Sequence, residues 1–319
     1  MVSMARRRDG APSRFCHLCG RQLVGRYVRY ESGLTVCQTC ETTRPRCARC
    51  AVPLSDRAIS ARSAGNPPLC ANCSRATPRC SSCGQPILGV FYSFEELLPA
   101  SAERKFCARC VQHHPRCDLC SAPVADGASP VADGQWRCTL CAADVVLGQE
   151  AILTVYRQAT ADFARVVGSR LGETPRLETV SRREMGALRR RYGRTTGAAG
   201  GSRPDGAGHH VLGYFVYSNG KSTIYVEQAL PRPVLLGTLA HELGHAWQAE
   251  RAPGLRDLLL CEGFAEWVAH RVLVGAGLQA AAARATRRDD VYGRGLRHFL
   301  ELERARGRDA VLAAIQGRP

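Results

Sequence analysis

A chain of 319 residues with a formal charge of +16 and 17 cysteines, all but one of them between Cys16 and Cys141, is long enough for two or more domains with at least one sizeable core. No apolar run approaches the length of a membrane span, and no basic stretch followed by an apolar one opens the chain as a secretory leader would, so the expectation is a cytoplasmic protein with no membrane partner. The charge argues only weakly for nucleic acid: the arginines are scattered, and four zinc ions each held by four thiolates would reduce +16 to about +8.

Residues 1–14, with Arg6-Arg7-Arg8, read as a disordered basic tail. From there C-x-x-C pairs recur at Cys16/Cys19, Cys37/Cys40, Cys47/Cys50, Cys70/Cys73, Cys80/Cys83, Cys107/Cys110, Cys117/Cys120 and Cys138/Cys141. Eight pairs make four repeats, with arms of 17, 19, 23 and 17 residues inside them and junctions of six residues between them, each junction ending in Pro-Arg. Such pairs suit structural zinc, each forming a turn that points two sulfurs inward. A disulfide scaffold calls for secretion, and thioredoxin-like chemistry needs one reactive pair in a strand–helix setting. The expectation is four Cys₄ zinc sites, closed within repeats rather than across junctions, with metal binding supplying most of their folding energy.

Repeats one and three open alike (Cys19-Gly20 and Cys83-Gly84), and two and four share Cys50-Ala51-Val52-Pro53 and Cys120-Ser121-Ala122-Pro123. The unit is therefore a double finger used twice, over 15–76 and 77–141. Basic and aromatic residues interleave only at Arg26-Tyr27-Val28-Arg29-Tyr30, which favours a protein partner over nucleic acid.

Residues 142–319 change rhythm. Apolar spacing from Ala142 to Leu171 predicts one long helix leading out of the last finger. A strand over Arg176–Val180, a helix over Arg182–Tyr192 and a Gly-rich loop over Gly197–Gly208 follow. Two β-rich runs, His210–Tyr217 and Ser222–Val226, flank Ser218-Asn219-Gly220-Lys221, a hairpin signal. A helix then begins near Pro231-Arg232-Pro233 and ends before Pro253.

That helix carries His241-Glu242-Leu243-Gly244-His245. Residues four apart share a helix face, so His241 and His245 can each offer an imidazole nitrogen to one Zn²⁺, with Glu242 beside it. A third protein ligand must come from elsewhere. The apolar helix Leu258–His270 supplies Glu262, with Glu266 one turn further on as the carboxylate that orients a ligand histidine; the reverse assignment of the two glutamates stays open. An Ala/Arg-rich segment, Asp289–Gly295 and two helices ending at Ala314 complete the chain.

The cysteine repeats resemble LIM domains, two-zinc modules of consecutive fingers, although the six-residue junction and the all-cysteine ligand set depart from that pattern. His241–His245 with Glu262-Gly263-Phe264-Ala265 resembles the gluzincin metallopeptidases, whose aminopeptidase branch places an oxyanion-stabilising tyrosine where Tyr292-Gly293-Arg294-Gly295 stands here. A tighter resemblance, over roughly residues 140 to 300, is to the LIM-containing peptidases that restrict organ growth in plants and are activated by ubiquitin. It is carried by Leu230-Pro231-Arg232, Ala240 to Trp247, and Glu262-Gly263 continuing to Ala269-His270.

The resemblance implies a multidomain chain: an N-terminal array of small β-hairpin, zinc-ribbon fingers followed by an α+β zincin-like metallopeptidase domain over 142–319. It implies a zinc endopeptidase acting on protein substrates, with fingers that recruit or gate them and ubiquitin or another protein as partner. One catalytic and about four structural zinc ions are expected. Glu242 is then the general base and Tyr292 the oxyanion donor, with Tyr214, Tyr225, His209 and His210 as alternatives for the latter. In zinc peptidases of this layout a sheet edge receives the substrate as an added strand, and Thr223–Glu227 is the candidate edge. The rival from another class is a zinc-finger adaptor or nucleic-acid-binding regulator with a silent peptidase fold. The retained Glu242 argues against it, since a binding-only protein has no need of a base beside the metal.

Overall fold

The computed structural model describes residues 14–56, 58, 67–94, 98, 103–131, 134–192 and 211–317. The expected basic tail apart from Arg14, the Gly197–Gly208 loop, His209 and His210 lie outside them. Packing divides the chain into two units, residues 1–93 with 103–114, and residues 94–102 with 115–319. The boundary expected after Cys141 lies inside the second unit, which also holds the fourth finger.

All four fingers follow one plan. After the first cysteine the chain folds into a tight turn: the N–H groups of Cys16, Cys47, Cys80 and Cys117 donate to the carbonyls five residues on, at 2.7, 2.8, 2.8 and 2.9 Å. The turn needs a left-handed residue, and Gly20, Ala51, Gly84 and Ser121 occupy it with φ of 71, 58, 71 and 59°. The alternation of Gly with Ala or Ser is the double period visible in the sequence; the non-glycine residues carry a strain of about 1–2 kcal/mol. The junction arginines lock the same turns, since Arg46, Arg79 and Arg116 each donate Nη1 to the carbonyl of the left-handed residue, at 2.8, 3.1 and 2.9 Å. The second cysteine pair opens a short helix in each repeat: α1 (Gln38–Thr43), α2 (Ala71–Ala76), α3 (Ala108–His113) and α4 (Thr139–Ala142). Small antiparallel ladders precede two of them, β1 (Tyr27–Arg29) on β2 (Thr35–Cys37) and β3 (Phe91–Tyr92) on β4 (Phe106–Cys107).

In the second unit the long helix predicted over 142–171 is broken. α5 runs over Gln149–Val167 between two left-handed glycines, Gly148 and Gly168. The stretch before it is extended: Val145 bridges Pro231, Val146 N–H donates to Leu230 O at 2.9 Å, and Arg232 N–H donates to Asp144 O at 2.8 Å. Apolar spacing at Val145 and Val146 reads as helix but is used here to stitch the exit of the fourth finger to the start of the next long helix.

β5 (Arg176–Val180) and α6 (Arg182–Tyr192) match their predicted bounds. β6 (Gly213–Ser218) and β7 (Lys221–Glu227) form the hairpin, turning at Asn219 and Gly220 with φ of 52 and 76°, the geometry that Asn-Gly favours. The sheet order is β5-β7-β6, with β5 parallel and β6 antiparallel to β7. This corrects the expected edge: β7, which contains Thr223–Glu227, is paired on both sides, and β6 is the outer strand beside the helices among the described residues. Glu227 N–H donates to Leu212 O, so by antiparallel alternation the main-chain groups of Gly213, Phe215 and Tyr217 point outward from the sheet.

The core lies between the inner sheet face and α5, α7 (Arg232–Arg251), α8 (Leu258–Gly275) and α10 (Val291–Arg306); α9 (Gln279–Thr286) and α11 (Arg308–Ile315) close its far end. α7 is buried around much of its circumference, through Leu235, Leu236, Leu239, Ala240, Leu243, Ala246 and Trp247, as befits a helix inside a domain rather than on its surface. Phe264 organises the aromatic centre, stacked 5.0 Å from Trp247 and 5.7 Å from Trp267, with Phe299 edge-on at 6.2 Å. Gly244 allows α8 to approach, since a Cβ there would sit 2.9 Å from Ala265 Cα. α7 ends at Arg251, ahead of Pro253, and Asp257 caps α8 by accepting from Leu260 N–H at 3.0 Å.

The fourth finger is tied into this unit by a buried charge cluster. The Arg137 side chain is 0 % exposed, with Nη1 3.7 Å from Asp118 and Nη2 3.7 Å from the equally buried Glu227 at the end of β7. Asp118 also accepts from Trp136 N–H at 2.6 Å and from Arg182 of α6. Leu119, between two zinc-ligand candidates, packs on the main core.

Candidate metal centres

The cysteines gather within repeats, as four sets: Cys16/Cys19/Cys37/Cys40, Cys47/Cys50/Cys70/Cys73, Cys80/Cys83/Cys107/Cys110 and Cys117/Cys120/Cys138/Cys141. All are free thiols. Across the inner pairs Cys19–Cys37, Cys50–Cys70, Cys83–Cys107 and Cys120–Cys138 the sulfurs are 3.9, 3.7, 4.0 and 3.6 Å apart. Tetrahedral zinc with Zn–S of 2.3 Å requires about 3.8 Å. Main-chain donors face the sulfurs: Cys37, Cys70 and Cys107 N–H point to Cys16, Cys47 and Cys80 Sγ at 3.4, 3.3 and 3.4 Å. Burial raises these three thiols, yet the backbone donors overcome it and bring Cys16, Cys47 and Cys80 down to about 6, 6 and 7. Each set fits zinc. In the fourth all four cysteines are buried.

A fifth set joins His241 and His245 of α7 to Glu262 of α8. His241 Nε2 and His245 Nε2 are 3.1 Å apart, and Glu262 Oε2 is 3.3 and 3.5 Å from them. Tetrahedral zinc at 2.0–2.1 Å from such donors separates them by about 3.3 Å. Glu262 is 1 % exposed and neither of its carboxylate oxygens has a hydrogen-bond partner, an arrangement whose cost a cation would offset. Burial works against charge here too. It is outweighed at His241, raised to about 9 by Glu262, Glu266 and Glu242, and at Glu262, which the two histidines hold below the ordinary carboxylate range. The cluster attracts positive charge, and its two-histidine, one-carboxylate donor set suits zinc.

His245 presents Nε2 because its other nitrogen is engaged, and His241 has a carboxylate behind its other nitrogen. Gln248 Nε2 donates to Cys261 O at 2.8 Å, and a carbonyl can only accept; Gln248 therefore turns Oε1 to His245 Nδ1, 2.9 Å away, and receives its proton. On the other side Glu266 Oε1 lies 3.7 Å from His241 Nδ1. The geometry thus separates the two glutamates, with Glu262 facing both Nε2 atoms and Glu266 behind one ring. Gln248 went unread in the sequence. Its signal was position, three residues past His245 on a helix buried on that face.

Glu242 is 5 % exposed, with burial raising its carboxyl pKa and a backbone hydrogen bond from Phe215 of β6 acting in the opposite sense. β6 passes this close because residue 213 is glycine: a Cβ there would lie 2.5 Å from Thr238 Cγ2 and 2.8 Å from Glu242 Oε1. The Tyr292 ring stands 6.1 Å from that of His241, and burial, then Glu262, push its phenol pKa upward. Tyr214 and Tyr225 are instead grouped with Met185 of α6 in a separate cluster, away from the histidines. A cleft of about 460 Å³, lined by residues such as Arg165, Trp267, Arg271, Glu303 and Arg308, shares none of the cluster residues.

Among the described residues no helix is long and apolar enough to cross a membrane. Comparison of the chain with protein-family models, with curated proteins and with solved structures finds no match.

Proposed function

We propose that this chain is a zinc-dependent endopeptidase of the gluzincin type, with LIM-like fingers that bring protein substrates to it. The observation that carries the reading is the position of Glu242, a buried carboxylate of raised pKa one residue from His241 and held against the outer strand β6. A metal-binding scaffold needs His241, His245 and Glu262; a carboxylate between that set and a strand edge answers to hydrolysis.

Zinc held there would polarise a peptide carbonyl and lower the pKa of a water toward about 7. Glu242 takes a proton from the attacking water and returns it to the leaving amine, a step worth typically ~10²–10⁴-fold. Tyr292 donates to the oxygen on which negative charge develops. Gly213 and Tyr217 offer outward main-chain groups for an extended substrate, while Phe215 gives its outward N–H to Glu242. Gln248 and Glu266 hold the two imidazoles in the tautomer that the metal requires. Sixteen cysteines kept as zinc ligands suit a reducing compartment, consistent with a cytoplasmic setting.

The test is a proteome-wide comparison of cleavage by the parent and by Glu242→Gln. The variant should keep its metal and lose cleavage; equal cleavage by both proteins would remove Glu242 from the chemistry and leave the fingers to account for function.

A further inference from the structure

Arg288 lies in the link between α9 and α10 and is fixed by its main chain as well as its side chain. Its carbonyl accepts from Arg297 Nη1 at 2.6 Å and occupies the place where a Cβ on residue 293 would be, 2.1 Å away. Its guanidinium meets three groups. Nη1 is 3.4 Å from Glu266 Oε1, Nη2 and Nε are 2.5 and 3.0 Å from Asp290 Oδ2, and Cζ lies 4.6 Å from the centre of the Tyr292 ring.

We infer that Arg288 is a positioning residue for the His241/His245/Glu262 site, holding Glu266 behind His241 and the Tyr292 ring beside it through one planar fork. The Tyr292 half of this assignment rests on the peptidase reading; the Glu266 half rests on the donor set alone. An ordinary ion pair with Asp290 alone would serve a lysine equally well. Reaching Glu266 and Asp290 together while covering an aromatic face requires the flat, branched guanidinium, which a lysine ammonium cannot imitate. Arg288 also joins α8, through Glu266, to the start of α10, through Asp290 and Tyr292. The two groups that it holds come from different helices, and no helix-internal contact could keep them in step.

The experiment uses the full chain with its Cys₄ sites loaded and two readouts. The first is zinc affinity at the His/His/Glu site, by competition with a chromophoric chelator. Arg288→Met should weaken it by about 10-fold, the scale on which outer partners of metal ligands act, and should add nothing further to Glu266→Gln. The second is cleavage of a quenched-fluorescent peptide library. Arg288→Met should lower kcat by about 10-fold with KM kept, and by less than about two-fold once Tyr292→Phe is present, as expected of residues acting as a unit. Arg288→Lys, which keeps the charge and is read in its place if the methionine variant does not fold, should show both losses. The proposal is overturned if the arginine variants remain within about two-fold of the parent, or if their effects add fully to those of Glu266→Gln and Tyr292→Phe. A parent that binds zinc but cleaves nothing in the library defeats the peptidase reading instead, and the zinc readout still decides the Glu266 half.

Discussion

Gly263 and Gly295 pack backbone against backbone: a Cβ built on Gly295 would lie 2.5 Å from Gly263 Cα, and one on Gly263 2.6 Å from Gly295 Cα. This crossing lets α10 touch α8 one residue past Glu262 and carries Tyr292 to its place beside His241. Gly295→Ala should force the helices apart, cost about 1–3 kcal/mol as overpacking does, and lower kcat beyond its effect on stability. Thermal unfolding together with peptide cleavage checks this; an unchanged melting temperature would mean that the helices can slide at no cost.

Gln248→Ala removes the acceptor that holds the His245 proton on Nδ1. Zinc affinity at the His/His/Glu site should fall by about 10–100-fold, while the four Cys₄ sites keep theirs. Competition titration separates the two classes, and equal loss from both would show that the substitution damaged the fold.

Metal removal should proceed in two stages. About five zinc ions per chain are expected by elemental analysis. The one held by His241, His245 and Glu262 should leave to a mild chelator with the circular dichroism of the fingers intact, whereas stripping the cysteine sites should unfold them. A single cooperative loss of all the metal and all the structure would contradict this order.

The fingers should differ in their reach. Arg137→Met leaves Glu227 buried without its guanidinium and should destabilise the second unit by about 3–5 kcal/mol; pairing it with Glu227→Met should recover much of that loss. Cys138→Ser should also disturb the helical unit, while Cys37→Ser should leave its melting unaffected. For the same reason a fragment starting at Pro115 should fold, and one starting at Ala142 should not. Denaturant unfolding of these proteins decides the point.

The pattern of fold and site that could be read beforehand follows the range of the interactions involved. The α7 and α8 positions of His241, His245 and Glu262, the α6 bounds and the within-repeat cysteine sets depend on local spacing and were legible. The central place of β7 was not, because its second partner β5 joins it through a parallel crossover from more than forty residues upstream, and no local pattern records that pairing. The break at Gly148 was hidden by Val145 and Val146, whose apolar character serves an extended stitch to Leu230 and Pro231 as well as it serves a helix. Arg137, Gln248 and Arg288 look like surface residues in the sequence, since a polar side chain reveals its burial only when the partner that neutralises it is known.

The arginines that close each six-residue junction bear on how such an array can change. With Arg46, Arg79 and Arg116 each reaching forward to the carbonyl of the following turn, a residue inserted between the arginine and the cysteine that follows it would pull the guanidinium out of register and release the turn that presents two sulfurs. The hairpin arms already differ in length by up to six residues. New loops, epitopes or fused modules should therefore be accepted at the arm tips, with the intervals between fingers kept constant.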